Sequence, residues 1–191
     1  MKTIMKKSAL SLITLAVLGS TAYAKGCYNA QNIDVTWTSY KTLSKIGVGG
    51  NFSKVDFSTK HKEAKTINDM LVGAKIETGL ADIDAHMDLK NNNIAEFFTA
   101  HVKNKAIQAE IISVSTKSIE VDITLNDTTI RIPMKYTIED AKVKATGVID
   151  GFDYGLLPAL NSLNTNVSGH LNKGWTDIDI GFELPYTNTC K

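Results

Sequence analysis

"SIEVDITLNDTTIRIPMKYTIED", residues 118–140, alternates apolar and polar side chains with a period of two. Ile119, Val121, Ile123 and Leu125 share one side of an extended chain, and Glu120, Asp122 and Thr124 share the other. After Asn126-Asp127 the alternation resumes with Ile130, Ile132, Met134, Tyr136 and Ile138. Two polar residues between two such runs read as a tight hairpin. Glu139-Asp140 separates the next pair of runs in the same way. Pro133 has no N–H to give a ladder, so its strand is expected to be an edge or to bulge there.

The same period recurs on both sides of this stretch. "NIDVTW" sets Ile33, Val35 and Trp37 on one face, and "AIQAEI" does so with Ile107, Ala109 and Ile111. "DIDIGFELPY" aligns Ile178, Ile180, Phe182, Leu184 and Tyr186. Apolar inward and polar outward is the mark of antiparallel sheet with one wet face. Gly47, Gly49 and Gly50 in "KIGVGGNF" predict a bend between the first two strands. Such a meander of about eight strands closes most simply into an all-β, antiparallel up-and-down barrel.

Two segments break the period. In "LADIDAHMDLKNNNIAEFF", residues 80–98, Ile83, Met87, Ile94, Phe97 and Phe98 fall nearer helical spacing. In "DYGLLPALNSLN", residues 153–164, Leu156, Leu157, Leu160 and Leu163 form an apolar stripe, and Pro158 suits a first helical turn. One or two short helices are therefore expected over the barrel or its mouth.

The first of these segments also places Asp82, Asp84, His86 and Asp88 two residues apart, as a divalent metal site would. An EF-hand loop counted from Asp82 needs Gly and Glu where Met87 and Asn93 stand. No zinc motif is present either. The expectation is no metal: acidic residues at a helix N-terminus, with His86 hydrogen-bonded locally. The four histidines are scattered, no G-x-S-x-G elbow occurs, and no glycine-rich phosphate loop opens a helix. The chain reads as a non-enzyme that needs no cofactor.

The ends speak of export. Lys2, Lys6 and Lys7 precede an apolar run over 9–19, and Ala22-Tyr23-Ala24 fits a leader cleavage site. Residues 1–24 are expected to be a cleaved signal peptide and 25–191 one periplasmic domain. The apolar run is short for a membrane span, and lipidation at Cys27 is disfavoured by Lys25 and Gly26 before it. Cys27 and Cys190, near the two mature ends, are expected to form a disulfide in an oxidising compartment. Loss of three leader lysines takes the formal charge from +1 to about −2, which argues against nucleic acid as a partner. Arg131 is the only arginine, so arginine clamps on anions are scarce.

An eight-strand barrel either fills with side chains or holds one small ligand. Trp37, Phe52, Phe57, Phe97, Phe98, Phe152, Tyr154, Leu156 and Leu160, with Met87 and Ile94, line a greasy tunnel in one case and form a packed core in the other. The packed case describes a structural or stress-response protein that works through its surface. A third reading, a hydrolase or isomerase, requires a carboxylate at the tunnel mouth with a strongly shifted pKa.

Four blocks in order resemble the YceI-like family of bacterial periplasmic lipid-binding proteins: "KIGVGGNFSKV", "AKIETGLADIDAHMDLKNNNIAEFF", "TLNDTTIRIPMKYTI" and "KATGVIDGFDYGL". The resemblance implies a lipocalin-like barrel whose tunnel holds a long-chain ligand, such as a polyisoprenoid, a quinone tail or a fatty-acid amide. It places Asp84, His86, Phe97, Phe98, Phe152, Asp153 and Tyr154 near that tunnel. It also allows a homodimer, though the edge strands show no clear self-complementary patch. Ile83 and Gly151 stand where relatives commonly carry basic residues, so a neutral or weakly polar headgroup is expected.

Overall fold

A computed structural model describes residues 27–189. Residues 1–26 and 190–191 lie outside the described residues, and with them the expected leader and Cys190. Eleven strands form one sheet: β1 (Tyr28–Ala30), β2 (Asp34–Lys41), β3 (Ile46–Phe52), β4 (Asp56–Ser58), β5 (Lys75–Gly79), β6 (Ile83–Asp84), β7 (Ala106–Val114), β8 (Ser118–Leu125), β9 (Thr128–Glu139), β10 (Lys142–Asp150) and β11 (Gly174–Asn188). Three of them are two or three residues long, which leaves the eight principal strands expected. Helices are α1 (Ile67–Leu71), α2 (Asp88–Asn93) and α3 (Leu157–Asn166).

Every pairing is antiparallel, in the order β4-β5-β7-β8-β9-β10-β11-β2-β3-β6, with β1 added to β11. The sheet curls into a half-barrel, because β4 and β6 end the path and do not pair with each other. The hairpin at Asn126-Asp127 is as the alternation predicts, with both residues at positive φ and Leu125 opposite Thr128. On the outer face Asp122 and Arg131 sit directly opposite, and the guanidinium donates to both carboxylate oxygens at 2.7 and 2.9 Å. That pair holds the Asp122 carboxyl below its ordinary range and occupies the one arginine.

Three local expectations are corrected. Gly47, Gly49 and Gly50 lie inside β3, and the turn falls instead at Thr42–Lys45, where Thr42 and Lys45 take positive φ. Gly50 serves a close approach: a Cβ there would lie 1.9 Å from the carbonyl oxygen of Asp84, on the neighbouring β6 segment. β9 is an interior strand, yet Pro133 disturbs no ladder on the β10 side, because that ladder stops at Lys135–Thr146. Residues 80–87 are not helical: a single 3₁₀ turn at Leu80–Asp82 runs into β6 before α2 begins at Asp88.

Candidate functional site

The barrel is packed at one end and hollow at the other. Ile119, Leu184, Val143 and Ile111 are essentially inaccessible and form a solid floor with Met70 and Leu71 of α1. Toward the opposite ends of the same strands the inward residues line a cavity of about 680 Å³. Val121, Ile123 and Leu125 do so on β8, Phe182, Ile180 and Ile178 on β11, and Ala109 and Ile107 on β7. The volume falls within the range of about 300–1,000 Å³ usual for small-molecule sites. A side-chain period of two thus makes the wall, and the taper from floor to mouth sets the depth.

The two segments that break the alternation form the lid. The chain from α2 continues through a wider π turn at Ile94–Phe98, and α3 packs against that turn. Met87, Ile94 and Phe98 from one side and Leu156, Leu160 and Leu163 from the other face the cavity. The lid is anchored at Asp84. Its Oδ1 accepts from the His86 backbone N–H at 2.8 Å and from the Asn91 amide at 3.1 Å. Asn91 Oδ1 in turn accepts from the Ala85 N–H at 2.7 Å. The Asn91 amide, then the His86 N–H, hold the Asp84 carboxyl below its ordinary range. His86 takes positive φ and points Nδ1 toward Asp84 Oδ2 at 3.6 Å. Asp84 and His86 therefore form a local turn lock, with His86 hydrogen-bonded locally. Among the described residues no group of three or more His, Cys, Asp or Glu side chains gathers to hold a metal.

Of the residues named from sequence, Trp37, Phe52, Met87, Ile94, Phe98, Leu156 and Leu160 line the cavity. Phe57, Asp84, His86, Phe97, Phe152, Asp153 and Tyr154 do not. Phe57 packs against the core from β4, whereas Phe152 is 61% exposed on the turn after β10. Tyr154 is 1% exposed, and burial, then the Asp153 charge, pushes its phenol up to about 12. The strand period does not extend into the 151–155 turn, so nothing in it directs an aromatic side chain inward.

Polar groups that sequence reasoning missed collect at the mouth: Lys41, Lys90, Asn93, Ser168 and His170. Lys41 continues the inward series Val35, Trp37, Ser39, and that series is the signal that places it. A Cβ at Gly169 would meet Lys41 Nζ at 3.4 Å. His170 Nδ1 lies 2.8 Å from Asn164 Oδ1, and burial, then the Lys41 charge, lowers its pKa from 6.5. Lys41 and Lys90 make the mouth cationic. Among the described residues no Asp or Glu lines the cavity.

A curled antiparallel sheet with a solid floor, an apolar cavity and two helices at the mouth is the architecture of a hydrophobic-ligand barrel. A model of the YceI-like domain matches residues 28–184, and the chain belongs to that family. Solved structures agree in fold. A polyisoprenoid binding domain from Saccharophagus degradans, implicated in plant cell wall breakdown, superposes with a TM-score of 0.59 at 12% identity, covering 86% of this chain and 99% of that one. Burkholderia cenocepacia BcnA gives 0.52 at 16% identity, with 80% and 94% covered, and the Campylobacter jejuni YCEI protein gives 0.51 at 12%, with 95% and 100% covered. No curated protein matches the chain.

Proposed function

We propose that this protein is a non-enzymatic carrier of one long-chain amphiphile, with the tail in the barrel and the polar head between Lys41 and His170. The observation that carries the reading is the hollow itself: apolar walls, polar groups at the mouth, and two apolar helical faces over it. Each methylene moved from water into such a wall contributes about 0.8 kcal/mol, so a polyisoprenoid, quinone or fatty-acyl tail needs few polar anchors. A packed interaction barrel would show no continuous cavity. A carboxylate-using hydrolase or isomerase would place an Asp or Glu at the cavity, and among the described residues none lines it. The cationic mouth favours a head that accepts hydrogen bonds or carries negative charge over a purely neutral one.

The setting we infer is the periplasm, reached by cleavage after Ala24, with Cys27 and Cys190 joined. Support for the bond comes from β1 and β11, whose pairing runs from Ala30–Tyr186 to Tyr28–Asn188 and continues as Thr189 N–H to Cys27 O at 3.0 Å. Mass spectrometry of protein taken without detergent from its own host tests all of this together. The expected mass is a chain beginning at Lys25, lacking both thiol hydrogens, with one lipid bound under native conditions. An apo mass that takes up no added prenol, quinone or fatty acid would overturn the carrier reading.

His170 reports on the head. In the empty protein its midpoint should lie below 6.5, because burial and Lys41 both oppose the imidazolium. Its contribution to stability is therefore full above 6.5 and is lost as pH falls through the lower folded value. A bound carboxylate adds a counter-charge, so the midpoint should rise, and fatty-acid affinity should tighten as pH drops through that interval. The imidazole proton shifts in an NMR titration measure this directly. A midpoint that does not move when a fatty acid binds would place the head elsewhere.

A further inference from the structure

The mouth is flanked by two joined turns that the cavity does not explain. Thr42–Lys45 links β2 to β3, and Ser168–Lys173 links α3 to β11. Thr42 N–H donates to Lys173 O at 2.9 Å, and the Trp175 indole donates to Thr42 O at 2.8 Å. The turns are thus held rigidly side by side. At their tips Leu43 is 84% exposed and Leu171 73%, and Ile46 beside them is more than half exposed. Leu171 holds this position at φ +51, a conformation that disfavours a bulky side chain. Lysines surround the three: Lys45 lies over the Tyr40 and Trp175 rings, Lys173 lies over Trp175, and Lys41 stands at the cavity wall. The acids nearby, Asp177 and Asp179, are engaged by Lys45 and by the Tyr40 hydroxyl.

We propose that this rim is a docking surface for the face of an anionic lipid bilayer, on which the carrier loads or releases its ligand. Apolar tips that protrude singly, bracketed by long cationic side chains and a half-buried tryptophan, suit insertion into a headgroup layer rather than packing against a flat protein face. Lys41 and Lys173 supply the charge complementarity, Lys45 being paired with Asp177. Continuity supplies the purpose: His170 and Lys41 belong to both the cavity and this rim, so the mouth meets the surface that the tips enter. That purpose rests on the carrier reading, but the docking itself does not.

The test is flotation of the purified protein with vesicles of phosphatidylglycerol and phosphatidylcholine, or of phosphatidylcholine alone. The protein should float with the anionic vesicles and be released by added salt. Leu43→Asn with Leu171→Asn should weaken that partition at least about tenfold, because two leucines no longer enter the layer. Asn also relieves position 171, so folding is not at risk. Lys173→Gln should reduce binding to anionic vesicles alone. Uptake of a soluble fluorescent fatty acid should match the parent in every variant, which separates docking from carrying. Unchanged flotation of the double variant would overturn the proposal. So would conversion of a dimer to a monomer by the same two substitutions, which would make the rim an interface between copies.

Discussion

Gly50→Ala should destabilise the protein by about 3 kcal/mol and lower its melting temperature by roughly 6–12 °C. The added Cβ would sit 1.9 Å from the Asp84 carbonyl oxygen, 2.8 Å from its carbonyl carbon and 3.0 Å from Ala85 Cα. All three are backbone atoms, so no rotamer change makes room. β6 must separate from β3, breaking the Asn51–Asp84 and Phe52–Ile83 pairs. Asp84 is also the acceptor that anchors the lid through Asn91, so a ligand should leave the variant faster. Gly47→Ala is the control on the same strand. Its Cβ would meet two side chains and no backbone, the Thr38 methyl at 3.2 Å and the Tyr40 ring at 3.6 Å, and a change within about 1 kcal/mol is expected. Equal melting temperatures for the two variants would refute the close-approach account.

Ala109→Trp should cut affinity for a long-chain ligand by roughly two-hundred-fold while leaving the fold intact. Ala109 faces the cavity from β7, next above the buried Ile111 of the floor. An indole there fills existing space, so the core is not overpacked. If it displaces about four methylenes, the loss is about 3 kcal/mol. The signature is a change in chain-length preference. Ligands shorter by about four carbons should bind parent and variant alike, because their tails never reach this depth. A uniform loss across all lengths would mean that the substitution harms the mouth or the fold instead. Calorimetry across a series of fatty acids separates the two outcomes.

What could be read in advance follows from which contacts are local. The hairpin at Asn126-Asp127 and the inward faces of β8 and β11 are written in a two-residue period, and the structure keeps them. The lid was legible as a break in that period, and Phe98, Leu156 and Leu160 followed from it. Gly50 was misread because its reason is 34 residues away in sequence, at Asp84. Phe152 and Tyr154 were grouped with the tunnel for their aromatic rings, and Asp153 by resemblance, whereas a turn directs each of them separately. His170 looked isolated because its neighbours Lys41 and Asn164 reach it only in three dimensions. Lys41 was readable from its strand parity, but a lysine at an inward position is easily discounted.

The last strand also governs when the fold can begin. β11 pairs with β10 on one side and with β1 and β2 on the other. The first strands of the domain therefore find their neighbour only after the final residues have been synthesised. Joining them closes a loop of more than a hundred residues, a slow step in a sheet so dominated by distant pairs. Until then β2 and β3 are joined only by the two-residue β6, and so small a ribbon is marginal in water. The sheet therefore stays open until β11 is present, and its closure waits on an encounter between β11 and the first strands rather than on any local hairpin.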